Sequence, residues 1–388
     1  MRLLPFDHAV RNLGRTPSRT LSAGLGSAVV LGLLLGAVGF SRGMNRSLAA
    51  SGGAGNILML GAGSEESVER SEIPIRAAGV VAASLRGLES VLGDPAVSPE
   101  IHAALPVAAD GTAALTVLRG VTPMAFAVHP QAAIVEGRSP EAGRDEVMVG
   151  RRVADLVGLE TITVGERLRI DEIEVEVVGV FEAPGTVMDA EIWMPLADLG
   201  VLVQRDSLSC IVLAAANGDP EGRTFAAAEA FAATRLDLEL VAMPEAAYYA
   251  RLAAFFTPLR AMIGLAAGLV AVGAALGGLA TLHAVFAARI REFATLQVLG
   301  WSRGAIVVSM LQEALLLNAA AMLLAALFAY AVLDGLSIRF SMGLFGIDID
   351  GPTMATGVAA SILLAILGIA LPALRCLLPP VPEALRDA

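Results

Sequence analysis

Apolar and polar positions separate along this 388-residue chain into four long apolar windows and one extended mixed segment. A helix that crosses a bilayer needs roughly 20 apolar residues at about 1.5 Å rise each. Residues 21–40, 259–288, 304–333 and 353–374 meet that length. Arg19 and Arg42 bound the first apolar run, Arg260 and Arg289 the second, and Arg375 follows the fourth. The first run is longer than the 7–15 apolar residues of a cleaved signal peptide, despite the small residues of "SLAAS" at Ser47–Ser51, and reads as an uncleaved anchor. Between the first and second runs the pattern changes. "EVMVG" (Glu146–Gly150) reads as a strand, and "RRVADLVG" after it as a short helix. "RLRIDEIEVEVVGVFEA" alternates as a hairpin about Asp171–Glu172. "RGLESVLG" closes a helix expected near Ser84–Leu92, and "AMPEAAYYARLAAFF" predicts a helix running from Pro244 straight into the second apolar run. The fold class is therefore an α-helical membrane protein, with four transmembrane helices and a large mixed α/β extracytoplasmic domain, residues 41–258, inserted between helices 1 and 2.

Arginines flanking the spans set the orientation. They cluster in residues 1–20 (Arg2, Arg11, Arg15, Arg19), in 289–303 (Arg289, Arg291, Arg303) and in the tail 375–388. The 334–352 loop holds Arg339 against Asp334, Asp348 and Asp350. Both termini and the 289–303 loop are expected in the cytoplasm, and 41–258 and 334–352 outside a bacterial inner membrane. The outer segment carries 16 Arg against 30 Asp plus Glu, which argues against nucleic acid and anionic lipid as partners.

Composition sharpens this picture. Mean hydropathy is +0.70 and 56% of residues are hydrophobic, too apolar for an ordinary soluble chain of this length. All 27 basic residues are arginine. Without lysine there is no Walker A loop, so ATP hydrolysis must come from another chain. Cys210 and Cys376 fall on opposite sides of the membrane and lack metal-ligand neighbours at useful spacing; no catalytic or metal constellation is visible. His283 lies near the end of the second run and reads as a hydrogen-bonded structural residue.

The spans themselves carry marks. Gly32 and Gly36, Gly264 and Gly268, and Gly273 and Gly277 are small residues four apart, which predicts close packing of the first and second spans. Gln312, Glu313 and Asn318 interrupt the third span. A charge at a helix centre costs about 2.5–3.5 kcal/mol on insertion scales, so Glu313 should face protein or water. A helix–helix hydrogen bond accounts for it, and so does a proton or substrate path.

The stretch 289–303 raises the functional question. Residues 289–299 are good helix formers, Gly300 suits a left-handed stop and Ser302 can cap the third span. Ile290, Phe293, Leu296 and Leu299 recur every three residues, with Arg291, Glu292 and Thr295 facing outward. Such a helix can rest on lipid or dock a cytoplasmic partner, and physical chemistry alone leaves both open.

"AARIREFATLQVLGWSRGAIVVSMLQEALLL" (Ala287–Leu317) resembles the permease signature of the MacB/FtsX-type ABC transporters, on which Arg289, Glu292, Leu296, Gly300, Ser302 and Glu313 fall. "PALRCLLPPVPEALR" (Pro372–Arg386) is similar to the closing motif of that family. "GRSPEAGRDEVMVGRRVADLVG", "VEVVGVFEAPGTVMDAEIWMPL" and "AVRNLGRTPSRTLSAGLG" resemble its extracytoplasmic core domain and first span. Gln297, where arginine is frequent, and Val298, where alanine is usual, depart from the pattern. The resemblance implies a stand-alone permease subunit working as a dimer, with a second copy or a sister permease, on a separate ABC ATPase that binds ATP and Mg, often with a periplasmic adaptor. The chain itself would bind no cofactor. It implies a coupling helix at 289–303, with Arg289, Arg291, Glu292, Leu296, Gln297, Leu299, Gly300, Ser302 and Arg303 meeting the ATPase. It further implies mechanotransmission, in which ATP-driven motion reaches the outer domain to export a lipophilic or amphipathic substrate. The alternative is an FtsX-like regulator that switches an extracytoplasmic enzyme, such as a peptidoglycan hydrolase, without transport. An ion-coupled transporter would need intramembrane ion ligands that one carboxylate does not supply.

Overall fold

The computed structural model describes residues 6–15, 17–109, 112–216, 222–287, 290–340 and 343–377. Arg289 and most of the closing motif, residues 378–388, lie outside them. The chain forms two compact units: Met1–Arg42, Pro258–Leu336 and Gly346–Ala388 make a helical unit, and Gly43–Thr257 with Ser337–Phe345 make a sheet unit. The tip of the loop between the third and fourth spans thus belongs with the sheet unit.

The labelled helices are α1 (Phe6–Leu13), α2 (Pro17–Ser51), α3 (Glu245–Phe255), α4 (Thr257–Ala287), α5 (Ile290–Val298), α6 (Arg303–Phe328) and α7 (Gly351–Leu377). Among the described residues, Thr20–Ser51, Arg303–Leu333 and Gly351–Ala370 are long and apolar enough to cross a membrane. A fourth span passes only when α3 and Thr257–Gly273 are joined. The continuous helix expected from Pro244 into the second span is broken at Phe256. Pro258 has no N–H to offer the Ala254 carbonyl four residues back, and its ring crowds that oxygen.

Within the helical unit the first span packs on the third and fourth. A Cβ at Gly36 would lie 3.4 Å from Leu333, and one at Gly357 would meet Met322 at 2.7 Å and Leu35 at 2.8 Å. Among the described residues, no contact between the first and second spans runs through their glycines: a Cβ at Gly264, Gly268, Gly273 or Gly277 would meet no described atom within 4 Å. Glycines four apart flatten a helix face without choosing its partner. At Gly32 and Gly36 the neighbours are the large side chains Phe328 and Leu333. Further along α2, Arg42 makes a forked contact with Asp350, at 3.0 and 2.7 Å, while Asp350 also accepts from the backbone N–H and hydroxyl of Thr353 at the start of α7.

The sheet unit is built on β1 (Asn56–Gly61), β2 (Val97–Ala109), β3 (Thr112–Val121), β4 (Ala133–Gly137), β5 (Glu146–Gly150), β6 (Arg167–Ile170), β7 (Ile173–Glu182), β8 (Ile192–Pro195), β9 (Cys210–Ala214) and β10 (Leu240–Pro244). Their order is β10-β1-β9-β2-β3-β8-β5-β7-β4, with β6 beside β7 and β2. The β6–β7 hairpin turns at Asp171, whose φ is 53°. The helix expected to reach Leu92 ends at Ser84. Beyond it the chain joins the sheet, where the Glu89 N–H donates to the Ala214 carbonyl at 2.9 Å, and it reverses through positive φ at Leu92 and Gly93. The end of α2 and the start of α3 are knitted inside this unit. Gly53 N–H donates to Glu245 Oε2 at 2.8 Å, and a Cβ on Gly52 would come within 2.7 Å of the Ala246 backbone.

Side chains alternate across a strand, so Glu100 and His102 share one face of β2. Register then extends that face: Cys210 pairs with Glu100, Arg119 with His102, and Trp193 with Arg119. A polar stripe thereby crosses four adjacent strands. At its centre Arg119, 2% exposed, grips Glu191 through Nε (2.7 Å) and Nη2 (2.8 Å) and Glu100 through Nη1 (2.7 Å). Trp193 Nε1 donates to Glu191 at 2.9 Å, and the Trp193 ring centroid lies 5.7 Å from the Arg119 Cζ. Burial by itself would raise the carboxyls of Glu100 and Glu191, but the Arg119 charge together with the surrounding charge and hydrogen bonds of His102, His129 and Trp193 holds both below the usual carboxylate range, Glu100 far below. Burial likewise opposes the Arg119 charge, and the two carboxylates overcome it.

Removing Arg119 would leave Glu100 and Glu191 buried without their cation. Arg119→Ala should destabilise the sheet unit by about 3–5 kcal/mol. Urea unfolding of the full chain, followed by Trp193 fluorescence in a Trp301→Phe background, reads this loss. Acid should act on the same unit through Glu146, which the Arg138 guanidinium and the Glu141 N–H hold down to about 2 from an ordinary 4.5. Between those values the unfolded chain binds the extra proton. Stability from this group is therefore complete above the ordinary value and falls as pH drops toward about 2. Arg138→Gln should flatten that limb of an acid titration.

Candidate functional site

Two places gather chemistry: the charged turn between α4 and α6 in the helical unit, and a cavity in the sheet unit. The turn is a regular stop and restart. Gly300, at φ +92°, donates to the Gln297 carbonyl, and Trp301 N–H donates to the Leu296 carbonyl, both at 3.0 Å. These are the two bonds of a Schellman cap, and its apolar partners Leu296 and Trp301 both lie against the same cluster. Ser302 then accepts from Ala305 N–H at 3.3 Å and starts α6. Phe293 packs beneath α5 on Ile306, Met310, Ala365 and Ile369, which belong to α6 and α7.

Only part of the expected apolar stripe faces inward. Phe293 is buried and Leu296 half-buried, whereas Leu299 is 72% exposed and its neighbour Val298 67%. A three-residue step turns a helix by about 300°, so the stripe rotates about 60° per step and Leu299 ends far from Phe293. Glu292 pairs with Arg15 at 3.1 Å, and Gln297 accepts from Arg303 at 3.4 Å. The backbone of Arg291 is helical, and Arg289 lies outside the described residues. Within α6, Glu313 and Asn318 are buried on one face, and Gln312 is half-buried. Asn318 donates to the Ala314 carbonyl at 2.9 Å, and its own carbonyl accepts from Ser361 of α7 at 3.2 Å.

The cavity encloses about 260 Å³. Tyr248, Tyr249, Phe255 and Phe345 supply aromatic walls, and His102, Arg119 and Glu191 line its polar part. It thus pairs an apolar wall with fixed charge, the arrangement that holds small amphipathic ligands. Behind it, Glu100 Oε2 lies 3.2 Å from His102 Nε2, and His129 Nε2 lies 3.0 Å from Glu100 Oε1. In sequence Cys210 has no ligand neighbour; in the fold it has two. Cross-strand register brings its Sγ to 4.0 Å from Glu100 Oε2 and 3.8 Å from His102 Nε2. Burial, aided by the Glu100 charge, pushes the Cys210 thiol well up; burial and the Arg119 charge push the His102 imidazole down. This cluster was missed because 110 residues separate Glu100 from Cys210. The usable signal was Glu100-x-His102 on an alternating strand, which places both side chains on one face.

The MacB-like periplasmic core domain family matches residues 20–231, and the FtsX-like permease C-terminal family matches residues 264–377. No curated protein matches. Among solved structures the chain is similar to the extracellular domain of the noncanonic ABC-type transporter YknZ from Gram-positive bacteria. Identity is 14% and the TM-score 0.39, over 48% of this chain and 99% of that one. It is also similar to the periplasmic region of MacB from Actinobacillus actinomycetemcomitans, at 11% identity and TM-score 0.41, over 52% of this chain and 94% of that one. The first family match alone spans more than half of the chain, and the two follow each other along it in the order of the two units' main segments. The chain belongs to the MacB/FtsX-type permeases of ABC transporters.

Proposed function

We propose that this chain passes the motion of a separate ABC ATPase, which binds ATP and Mg, to its own outer domain, and so exports a lipophilic or amphipathic substrate. Family membership implies the ATPase partner. The observation that carries the mechanism is the turn Ile290–Arg303. It is capped stiffly at Gly300 and Ser302, anchored by Phe293 on α6 and α7, and leaves Val298 and Leu299 uncovered. A push on that turn loads two spans at once.

In this reading residues 1–20, 289–303 and 375–388 are cytoplasmic, and 41–258 is extracytoplasmic. The grouping of Ser337–Phe345 with the sheet unit supports placing 334–352 on that outer side. The break at Phe256 shifts the lever role to α2, which runs unbroken from Pro17 to Ser51, about 52 Å at 1.5 Å per residue. A second permease, as an identical copy or a sister chain, completes the assembly, and an adaptor outside would carry the substrate onward.

Leu299→Asp should cost most of the ATPase that co-purifies in mild detergent, while membrane insertion stays intact. Glu292→Arg is a weaker probe, because it also breaks the pair with Arg15. Unchanged ATPase recovery and unchanged ATP turnover in Leu299→Asp would sink the docking assignment. An ATPase rate that rises with added amphipathic compounds separates export from control of an extracytoplasmic enzyme, which would co-purify instead.

A further inference from the structure

The stripe of buried charge in the sheet unit is not used by the proposed motion. It holds more acids than arginines: among the described residues of this network the buried carboxylates Glu100, Glu191 and Glu245 stand with the guanidinium of Arg119 and the imidazoles of His102 and His129. Arg119 bonds to Glu191 twice and to Glu100 once. Glu100 also lies against His102, His129 and Cys210, and Glu245 lies 4.0 Å from His129. Buried anions in excess are costly unless a cation joins them.

We propose that Glu100, His102 and Cys210 bind one divalent transition-metal ion of the zinc class. The three donor atoms are 3.2, 3.8 and 4.0 Å apart. An ion bonded at about 2.0 Å to oxygen, about 2.1 Å to nitrogen and about 2.3 Å to sulfur in a tetrahedron holds its donors about 3.3–3.6 Å apart. The triangle therefore closes on an ion with movements of about half an ångström or less. All three residues lie together without any loop having to fold over them, because they occupy facing positions on β2 and β9. Mixed O, N and S donors select a borderline ion over magnesium or calcium, which take oxygen.

Supporting contacts are already made. Ser98 Oγ donates to Glu100 Oε1 at 3.0 Å, and Arg119 holds Glu100 Oε2 at 2.7 Å. On binding, His102 moves its ring proton from Nε2 to Nδ1, and the Cys210 thiol gives up its proton to solvent and takes the metal as thiolate, so one proton leaves per ion. Three protein donors leave a tetrahedral ion one position, and the cavity lined by His102 offers both a way in and room for water or a ligand donor there. The ion would pin β2 to β9 beside that cavity.

The test uses tag-free full chain in detergent, stripped with a chelator and titrated with Co²⁺ and then Zn²⁺. One equivalent of Co²⁺ should produce a thiolate-to-cobalt charge-transfer band that Zn²⁺ erases. Cys210→Ser should abolish the band, and His102→Ala should weaken binding by more than about 100-fold, the upper range for losing a mere supporting partner of a ligand. Cys376→Ser should leave both unchanged. Wild-type chain that takes up no metal at stoichiometric concentration overturns the proposal without reference to any variant's folding. So does a charge-transfer band that persists in Cys210→Ser.

Discussion

Putting one guanidinium in the middle of a sheet constrains everything around it. Arg119 cannot shed its charge, and at 2% exposure water alone cannot satisfy its guanidinium, so carboxylates come to it from both sides. Glu100 arrives on β2 and Glu191 on the approach to β8, and each is then fixed by further partners. This ties strands from both halves of the sheet to one point. Slipping β3 by one residue would turn Arg119 to the other face and strand both acids, so the network locks register as well as position.

That lock stands beside the cavity and the join between α2 and α3. Gly52 lets the backbone of Ala246 approach, and Glu245 ties down Gly53 and Asn56. Glu245 also faces His129, which touches Glu100. Movement of the end of α2 would therefore be felt beside the polar stripe, through the hydrogen bonds of Gly53 and Asn56 to Glu245. In the helical unit the corresponding solid piece is α5 on α6 and α7, where the apolar contacts of Phe293 replace charge as the fastener.

Much of the architecture was legible in local pattern. Long apolar runs mark the helices Thr20–Ser51, Arg303–Leu333 and Gly351–Ala370, and alternation marks the hairpin at Asp171. Other elements depended on competition that pattern does not weigh. The helix expected from Pro244 has good helix formers on both sides of Phe256, but one missing N–H at Pro258 outweighs them. The residues after Ser84 look helical, yet the Ala214 carbonyl at the end of β9 offers them a sheet hydrogen bond. Small residues in the spans announced close approach without naming what approaches.

By itself the sequence determined which segments avoid water and where the chain turns, because hydropathy and turn residues are properties of neighbours or of composition. Only tertiary structure decided that Leu299 stays exposed while Phe293 is buried, and that Cys210, Glu100 and His102 share one side of the sheet. Those outcomes follow from the accumulated twist of a helix and from the register of strands 110 residues apart. Local pattern carries the periodicity of each segment; which faces meet is set by the energy of packing them together.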